Sequence, residues 1–139
     1  MRILFVLPEL PHPPYTADHA RPLALLRAAA DSHEVAAVGA APDDADLGAL
    51  EELCAEVRVA PAGKVTPARR TTLAAGRGLL SPVPLVGAGR LPAVETLVEE
   101  LADAWRPDAM LAETLYAAHY RRPDIRLGVD LPLMPSALC

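Results

Sequence analysis

Apolar positions along the chain change their spacing several times, and the changes mark the predicted elements. The run RILFVL, Arg2–Leu7, is continuous and short, as is typical of a strand buried on both faces of a parallel sheet. A small-residue strand is predicted at His33–Ala40, and an alternating pattern predicts an edge strand at Glu56–Pro61. Further strands are predicted at Pro107–Glu113 and Ile125–Leu131.

Helical spacing occupies the segments between these strands. Asp18–Ala30 is predicted to be a helix that Asp18 caps, with Pro22 near its first turn. Pro92–Trp105 carries the clearest apolar stripe of the chain, and Thr114–Tyr120 continues from the fourth strand as a short helix.

Two segments are less regular. A helix is predicted to begin at Pro42 and to place Cys54 on its apolar side. Gly63–Arg90 is rich in glycine and proline, so we expect an irregular and mobile segment there, with a short helix around Ala68–Gly76.

Strands alternate with helices, and the intervals are long enough for the crossovers that parallel strands need. With 139 residues, the chain has the length of one domain. The predicted fold is therefore α/β: a Rossmann-like, doubly wound parallel sheet in a single domain, 1–139. Ligands of such sheets bind at the carboxyl ends of the strands, where the strand order reverses.

Composition and motifs exclude several classes of protein. The net charge of -5 and the scattered arginines argue against a nucleic-acid surface. Cys54 and Cys139 have no metal or redox spacing, and the first apolar run stops at Pro8, too early for a signal peptide. We expect a cytoplasmic protein. The dinucleotide motif GxGxxG, the phosphate-binding GxxxxGK[ST] and the hydrolase motif GxSxG are absent, so no cofactor is predicted.

Polar residues at predicted strand ends are the candidates for a site. PELPHPPYTADH, Pro8–His19, leaves the carboxyl end of the first strand and is stiffened by its prolines, which suits the rim of a cleft. Thr16, Asp18, His19 and Arg21 follow at the opening of the first helix, where backbone N–H groups can meet a phosphate or a sugar hydroxyl. In the alternative interpretation Asp18 is only a cap and its neighbours are solvated.

Glu113 closes the fourth strand and is followed by Tyr116, His119 and Tyr120. Its carboxylate can accept hydrogen bonds from a ligand hydroxyl, and the tyrosines can pack on a sugar face. Alternatively, Glu113 is another cap and the tyrosines fill the interior.

The remaining histidines and the basic residues receive weaker assignments. No pair among His12, His19, His33 and His119 has the spacing of ligands on a helix, so no metal site is predicted. The basic cluster Lys64–Arg77 is interpreted as a solvated face, with contact to anionic lipid or to a phosphorylated acceptor as the alternative.

Several segments resemble one known family in order and spacing. They are MRILFVLPELPHPPYTADHARPLALLRAAADSHEVAAV, LEELCAEVRVAP, RPDAMLAETLYAAHY and GVDLPLMPSAL, which together span nearly the whole chain. This series resembles the N-terminal, acceptor-side domain of retaining family-4 glycosyltransferases of the GT-B fold.

The resemblance implies a site and a partner. In that family the first domain binds the acceptor, a second Rossmann-like domain holds the nucleotide sugar, and a metal is generally not needed. Tyr15–His19 would lie at the cleft, and Glu113 with Tyr116 would form the polar end of the fourth strand. No catalytic residue is assigned.

The departures from the family pattern define two hypotheses. TADHA replaces the usual Gly-Gly pair of the first loop, Pro132 stands where a histidine faces the reaction centre, and the nucleotide-sugar domain is missing. The first hypothesis is the acceptor-binding half of a sugar transferase, inactive alone, and either cut from a longer enzyme or completed by a C-terminal domain on a separate chain. The second is a non-catalytic binding or interaction module. A face left apolar for the missing domain would also favour self-association.

Overall fold

The computed structural model describes residues 1–62, 91–113 and 117–130. Within these ranges, five strands form one sheet, and each is parallel to its neighbours. They are β1 (Arg2–Glu9), β2 (Glu34–Ala41), β3 (Glu56–Pro61), β4 (Ala109–Glu113) and β5 (Arg126–Asp130). The order across the sheet is β3-β2-β1-β4-β5, so the chain begins in the centre, builds one side, and then crosses to build the other.

Helices cover both faces of this sheet. They are α1 (Ala17–Ala30), α2 (Gly48–Leu53) and α3 (Pro92–Trp105), and a 3-10 turn follows at Ala118–Tyr120. Buried residues of α1 and α2 form one apolar cluster with the sheet, and those of α3 form a second cluster with it. The α/β, doubly wound prediction is confirmed.

The central strand β1 contributes to both clusters. Leu4 and Val6 pack in the cluster of α3, whereas Phe5 and Leu7 pack in the cluster of α1 and α2. Successive side chains of a strand point to opposite faces, so a strand covered on both faces needs apolar residues at every position. This double burial is the physical reason for the uninterrupted apolar run near the start of the chain.

The end of β1 differs from its prediction. The strand continues through Pro8 to Glu9, and its register with β2 shifts between Val6 and Glu9. Proline has no N–H to give to a ladder, and strands tolerate it where the pairing is interrupted. Pairing with the neighbouring strand then resumes, because the Leu10 N–H donates to the Ala40 carbonyl at 2.8 Å.

The helix boundaries also correct three details. Thr16, not Asp18, occupies the N-cap of α1, and Asp18 lies in the first turn. Pro22 is the sixth residue of the helix, beyond the predicted first turn. Helix α2 begins at Gly48 instead of Pro42, because the Asp46 carboxylate accepts the Gly48 N–H at 3.0 Å and holds a turn before the helix.

Some of the other predictions agree with the structure, and the rest concern residues that the structure does not describe. Helix α3 has the predicted bounds, and Cys54 is buried as expected. The segment 63–90, including the basic cluster, lies outside the described residues, as do Thr114–Tyr116, Pro132 and Cys139. No helix in the described ranges combines the length and apolar character needed to cross a membrane.

Candidate ligand-binding cleft

The strand order reverses between β1 and β4, which are neighbours in the sheet but far apart in the chain. The connections leaving the carboxyl ends of these two strands run to opposite sides. Such a reversal leaves a crevice above the strand ends, where open α/β sheets bind their ligands.

A cavity of about 440 Å³ lies at this place. Its volume falls within the range of roughly 300–1,000 Å³ that is usual for small-molecule sites. Three elements supply its lining: the end of β1, the first turns of α1 and the end of β4. The lining residues are Pro8, Glu9, Thr16, Ala17, Asp18, His19, Arg21 and Glu113.

The start of α1 brings polar groups to the cavity. The Thr16 carbonyl accepts the N–H groups of His19 and Ala20 at 3.1 and 3.2 Å, which closes the first turn. The Thr16 side chain makes no capping hydrogen bond. Thr16, Ala17 and Asp18 all line the cavity, and the amides at a helix start lack partners within the helix.

Glu113 lies at the opposite wall and has an unusual protonation equilibrium. Burial raises the pKa of this carboxyl from 4.5 to about 7, and the negative charges of Asp130 and Asp18 add to the effect. Arg21 acts in the opposite direction but does not cancel it. At neutral pH the group therefore exists in both forms, and it can donate or accept a hydrogen bond.

Arg21 connects α1 with the neighbouring strand β5. Its Nε donates to Asp130 Oδ2 at 2.8 Å, and its Nη2 donates to Asp130 Oδ1. This two-point bond raises the pKa of Arg21, chiefly through the hydrogen bond itself. Because Asp130 already balances the guanidinium, Glu9, Asp18 and the ionised form of Glu113 leave the cleft with an excess of negative charge.

The cavity brings together five of the seven residues chosen from the sequence. Thr16, Asp18, His19, Arg21 and Glu113 all line it. Tyr15 is 45% exposed and does not belong to the lining. Tyr116 lies outside the described residues.

Tyr120 corrects the idea that the tyrosines behind β4 meet a ligand. It is only 6% exposed and belongs to the cluster under α3. Its hydroxyl oxygen accepts the Leu91 N–H at 2.6 Å, which ties the turn after β4 to the start of α3. For this residue the interpretation as interior packing is correct.

Sequence reasoning missed Glu9 and Asp130 as parts of the site. Each is the last residue of its strand, β1 or β5, and so ends at the same edge of the sheet as Glu113. Among the predicted strands, only the fourth ended in an acid, Glu113. The first strand was predicted to stop at Leu7 and the fifth to continue to Leu131, so neither Glu9 nor Asp130 was recognised as a strand end.

A second group of side chains adjoins the cavity. Glu9, His12 and His19 each offer one ligand atom, and these atoms lie within 4.8 Å of one another. The spacing argument against a metal site considered pairs on one helix, whereas His12 reaches this group from the loop before α1.

The fold and the cleft define a Rossmann-like protein with a candidate small-molecule site at the reversal of strand order. No family model, curated protein or solved structure matches the chain. The resemblance to family-4 glycosyltransferases therefore remains a hypothesis that depends on the quoted segments alone.

Proposed function

We propose that this chain is the acceptor-binding half of a sugar transferase that uses a nucleotide-sugar donor. The observation that supports the proposal is the cavity at the β1–β4 reversal, where hydrogen-bonding groups from α1 and from β4 face one space. That is the wall on which the resembling family binds its acceptor.

The polar lining suits a ligand with several hydroxyl groups. Glu113, with its pKa raised to about 7, can bond a hydroxyl as donor or as acceptor. The Thr16 hydroxyl and the amides of the first turn of α1 add further groups on the opposite side. A polyol that spans the cavity would be held at both ends.

The charge of the cleft narrows the class of acceptor. Glu9, Asp18 and Glu113 contribute acidic groups, whereas the Arg21 guanidinium is already bonded to Asp130. Like charges in a shared pocket repel, so an anionic acceptor is disfavoured. We therefore assign a neutral or amine-bearing polyol to this cleft.

The nucleotide sugar belongs, in this proposal, to a second Rossmann-like domain that faces the cleft. This chain alone supplies one wall of the cleft, and no catalytic residue is assigned to it. We therefore expect it to bind the acceptor without transferring sugar. A cleft formed by two domains gains most of its ligand burial only when both are present.

Chemical-shift mapping tests the acceptor site directly. We expect myo-inositol and methyl glycosides, at millimolar concentrations, to shift the backbone amides of residues 16–21 and of Glu113. In Glu113→Ala these shifts should weaken, because one wall loses its hydrogen-bonding group. Glu99→Ala removes a glutamate on α3 at the other edge of the sheet and should leave the shifts unchanged.

A second measurement separates the transferase from the binding module. UDP-glucose and GDP-mannose should not raise the melting temperature of the chain alone, and sugar transfer should require an added donor-binding domain. Acceptor binding with no transfer in any such combination would favour the non-catalytic module. If no polyol shifts the cleft amides, both versions of the proposal fail.

A further inference from the structure

One carboxylate oxygen in the cleft faces two imidazole rings. Glu9 Oε1 lies 3.3 Å from His12 Nε2 and 3.5 Å from His19 Nε2. The ring centroids of the two histidines are 5.1 Å apart, with an angle of 52° between the planes. Three donor atoms of the kinds that bind metals therefore converge from β1, the following loop and α1.

The separations agree with the geometry of a zinc site. Zinc binds histidine nitrogen and carboxylate oxygen at about 2.0–2.2 Å in tetrahedral arrangements, which places neighbouring ligand atoms about 3.3–3.5 Å apart. The two distances from Glu9 Oε1, 3.3 and 3.5 Å, fall in this range, and the distance between the two imidazole nitrogens is within 4.8 Å. Two histidines and one glutamate are also an established zinc ligand set.

The second nitrogen of His12 is held as metal-binding histidines usually are. Its Nδ1 lies 3.0 Å from the Pro13 carbonyl oxygen. A carbonyl can only accept, so this contact is a hydrogen bond in the tautomer that carries its proton on Nδ1, and in that tautomer the lone pair is on Nε2. An outer-shell carbonyl that fixes the tautomer in this way is the common companion of a ligating imidazole. The Nε2 lone pair then faces the Glu9 oxygen, an arrangement that a cation between them would stabilise.

His19 is the most buried member of the group. The residue is 6% exposed, and its Nε2 lies 3.5 Å from Glu9 Oε1, the same oxygen that His12 Nε2 approaches. Within the described ranges its Nδ1 has no hydrogen-bond partner. No contact on that side of the ring therefore prevents Nδ1 from carrying the proton, which leaves Nε2 able to bind an ion.

We propose that Glu9, His12 and His19 form a binding site for a divalent transition-metal ion, with Zn²⁺ as the best fit. Three protein ligands leave one position of a tetrahedral ion open, as in zinc sites that also bind water or substrate. Glu9 and His19 line the cavity, so the open position is directed to it and can take a water or a ligand hydroxyl. This site goes beyond the proposed function, for which the resembling family generally needs no metal.

Calorimetry on protein without a histidine tag, treated with a chelator and desalted, tests the site with ZnCl₂ alone. We expect one Zn²⁺ per chain with micromolar or tighter affinity. Co²⁺ in place of Zn²⁺ should give the intense visible absorption of tetrahedral coordination. Absence of saturable Zn²⁺ binding, or only the faint absorption of hexahydrated Co²⁺, would overturn the proposal.

Matched variants identify the ligands. His12→Ala and Glu9→Gln should each weaken Zn²⁺ binding by at least about tenfold, the loss that even an outer-shell partner produces. His33→Ala removes a histidine outside the group and should bind Zn²⁺ like the parent chain. Equal losses in His33→Ala, or no loss in His12→Ala, would refute the assignment. Because Glu9 is half exposed and His12 lies in a loop outside the two apolar clusters, circular dichroism should show that both variants remain folded.

The result is separable from the acceptor site. Shifts of the cleft amides by myo-inositol can be measured with the chelator present. If those shifts persist and Zn²⁺ does not bind, only the metal site is refuted.

Discussion

Charged groups are paired differently at the two ends of the parallel strands, which we call the amino edge and the carboxyl edge of the sheet. At the amino edge, the backbone N–H of Arg2 donates to Asp108 Oδ2 at 2.7 Å, and its Nη1 donates to the Trp105 carbonyl at 3.0 Å. The guanidinium carbon lies 5.7 Å from the centre of the Trp105 ring, and Nε is 3.4 Å from the Glu34 carboxylate. One side chain thus joins β1, β2 and the end of α3.

Arg122 forms a second ionic group at that edge, in the segment before β5. Its guanidinium bonds Glu99 at 2.7 Å, Asp103 at 2.8 Å and Asp124 at 3.1 Å. These bonds raise the pKa of Arg122, and the bond from Arg122 is the main cause of the lowered pKa of Asp124. Each cation of the amino edge described here has anionic partners.

The carboxyl edge has less complete pairing. Glu113 is held where its charged form is disfavoured. A buried imidazole nitrogen without a hydrogen-bond partner in the described ranges occurs at both ends, on His19 and on His33, so the contrast depends on Glu113. Folding alone gives no reason for the position of this carboxyl group. Ionisable groups with shifted pKa values that do not stabilise the fold are characteristic of functional sites. The difference between the edges therefore supports a ligand site at the carboxyl edge.

The largest predicted effect concerns the backbone beneath the cleft. A Cβ at Gly39 would lie 2.6 Å from the Leu7 carbonyl oxygen and 3.2 Å from the Leu10 side chain. Gly39→Ala should therefore lower the free energy of unfolding by about 2 kcal/mol, measured by urea denaturation. Gly48→Ala is the control, because its Cβ would meet only the Asp46 side chain. If Gly39→Ala were as stable as the parent, the end of β1 would not depend on this close approach.

A smaller effect is expected from removing the central cation of the amino edge. Arg2→Ala loses the bond to the Trp105 carbonyl and the contact with the ring, which should cost about 1–2 kcal/mol of unfolding free energy. Glu9→Ala, the comparable truncation at the carboxyl edge of β1, should change it by less than about 0.5 kcal/mol in chelator. Equal losses in the two variants would remove the contrast between the edges.

The smallest effect is a pH dependence from Glu113. Because its pKa is raised to about 7, the folded state holds a proton that the unfolded state has released, and stability falls as pH rises from 4.5 to about 7. Such a shift corresponds to at most about 3 kcal/mol. Partial solvent exposure reduces the expected difference to about 1 kcal/mol.

Glu113→Gln should therefore be more stable than the parent above about pH 7 and equally stable near about pH 4, by urea denaturation in chelator. Glu99→Gln makes the same change where the carboxylate bonds Arg122. It should be neutral or destabilising above about pH 7. A stabilised Glu99→Gln, or a Glu113→Gln without any gain, would contradict the interpretation of Glu113.

The fold was largely predictable because burial on both faces leaves a plain trace in the sequence. The apolar patterns of two segments predicted a buried strand at Arg2–Leu7 and a helix at Pro92–Trp105, and both elements are present. The boundaries of α1 and α2 were less accurate, because they depend on local hydrogen bonds such as that of Asp46 with Gly48. Patterns of apolar residues do not encode such bonds.

The sequence predicted residues of the candidate site only where they follow the carboxyl end of a predicted strand. Thr16, Arg21 and Glu113 followed from that rule, since parallel strands end at one edge of the sheet. The approach of His12 to His19 did not follow, because a loop of prolines has no periodicity from which to place its side chains. Three-dimensional contact, not spacing, defines that group.

The first residues of the chain have a practical consequence for measurement. The Met1 carbonyl accepts the Glu34 N–H at 3.0 Å, and the Arg2 N–H donates to Asp108, so both residues are hydrogen-bonded to neighbouring segments at the amino end of the sheet. Met1 is nevertheless 65% exposed and lies at the end of β1 remote from Glu9. A biotin or a fluorophore joined there through a short spacer would tether the molecule to a sensor chip with its ligand-facing side turned to the solution.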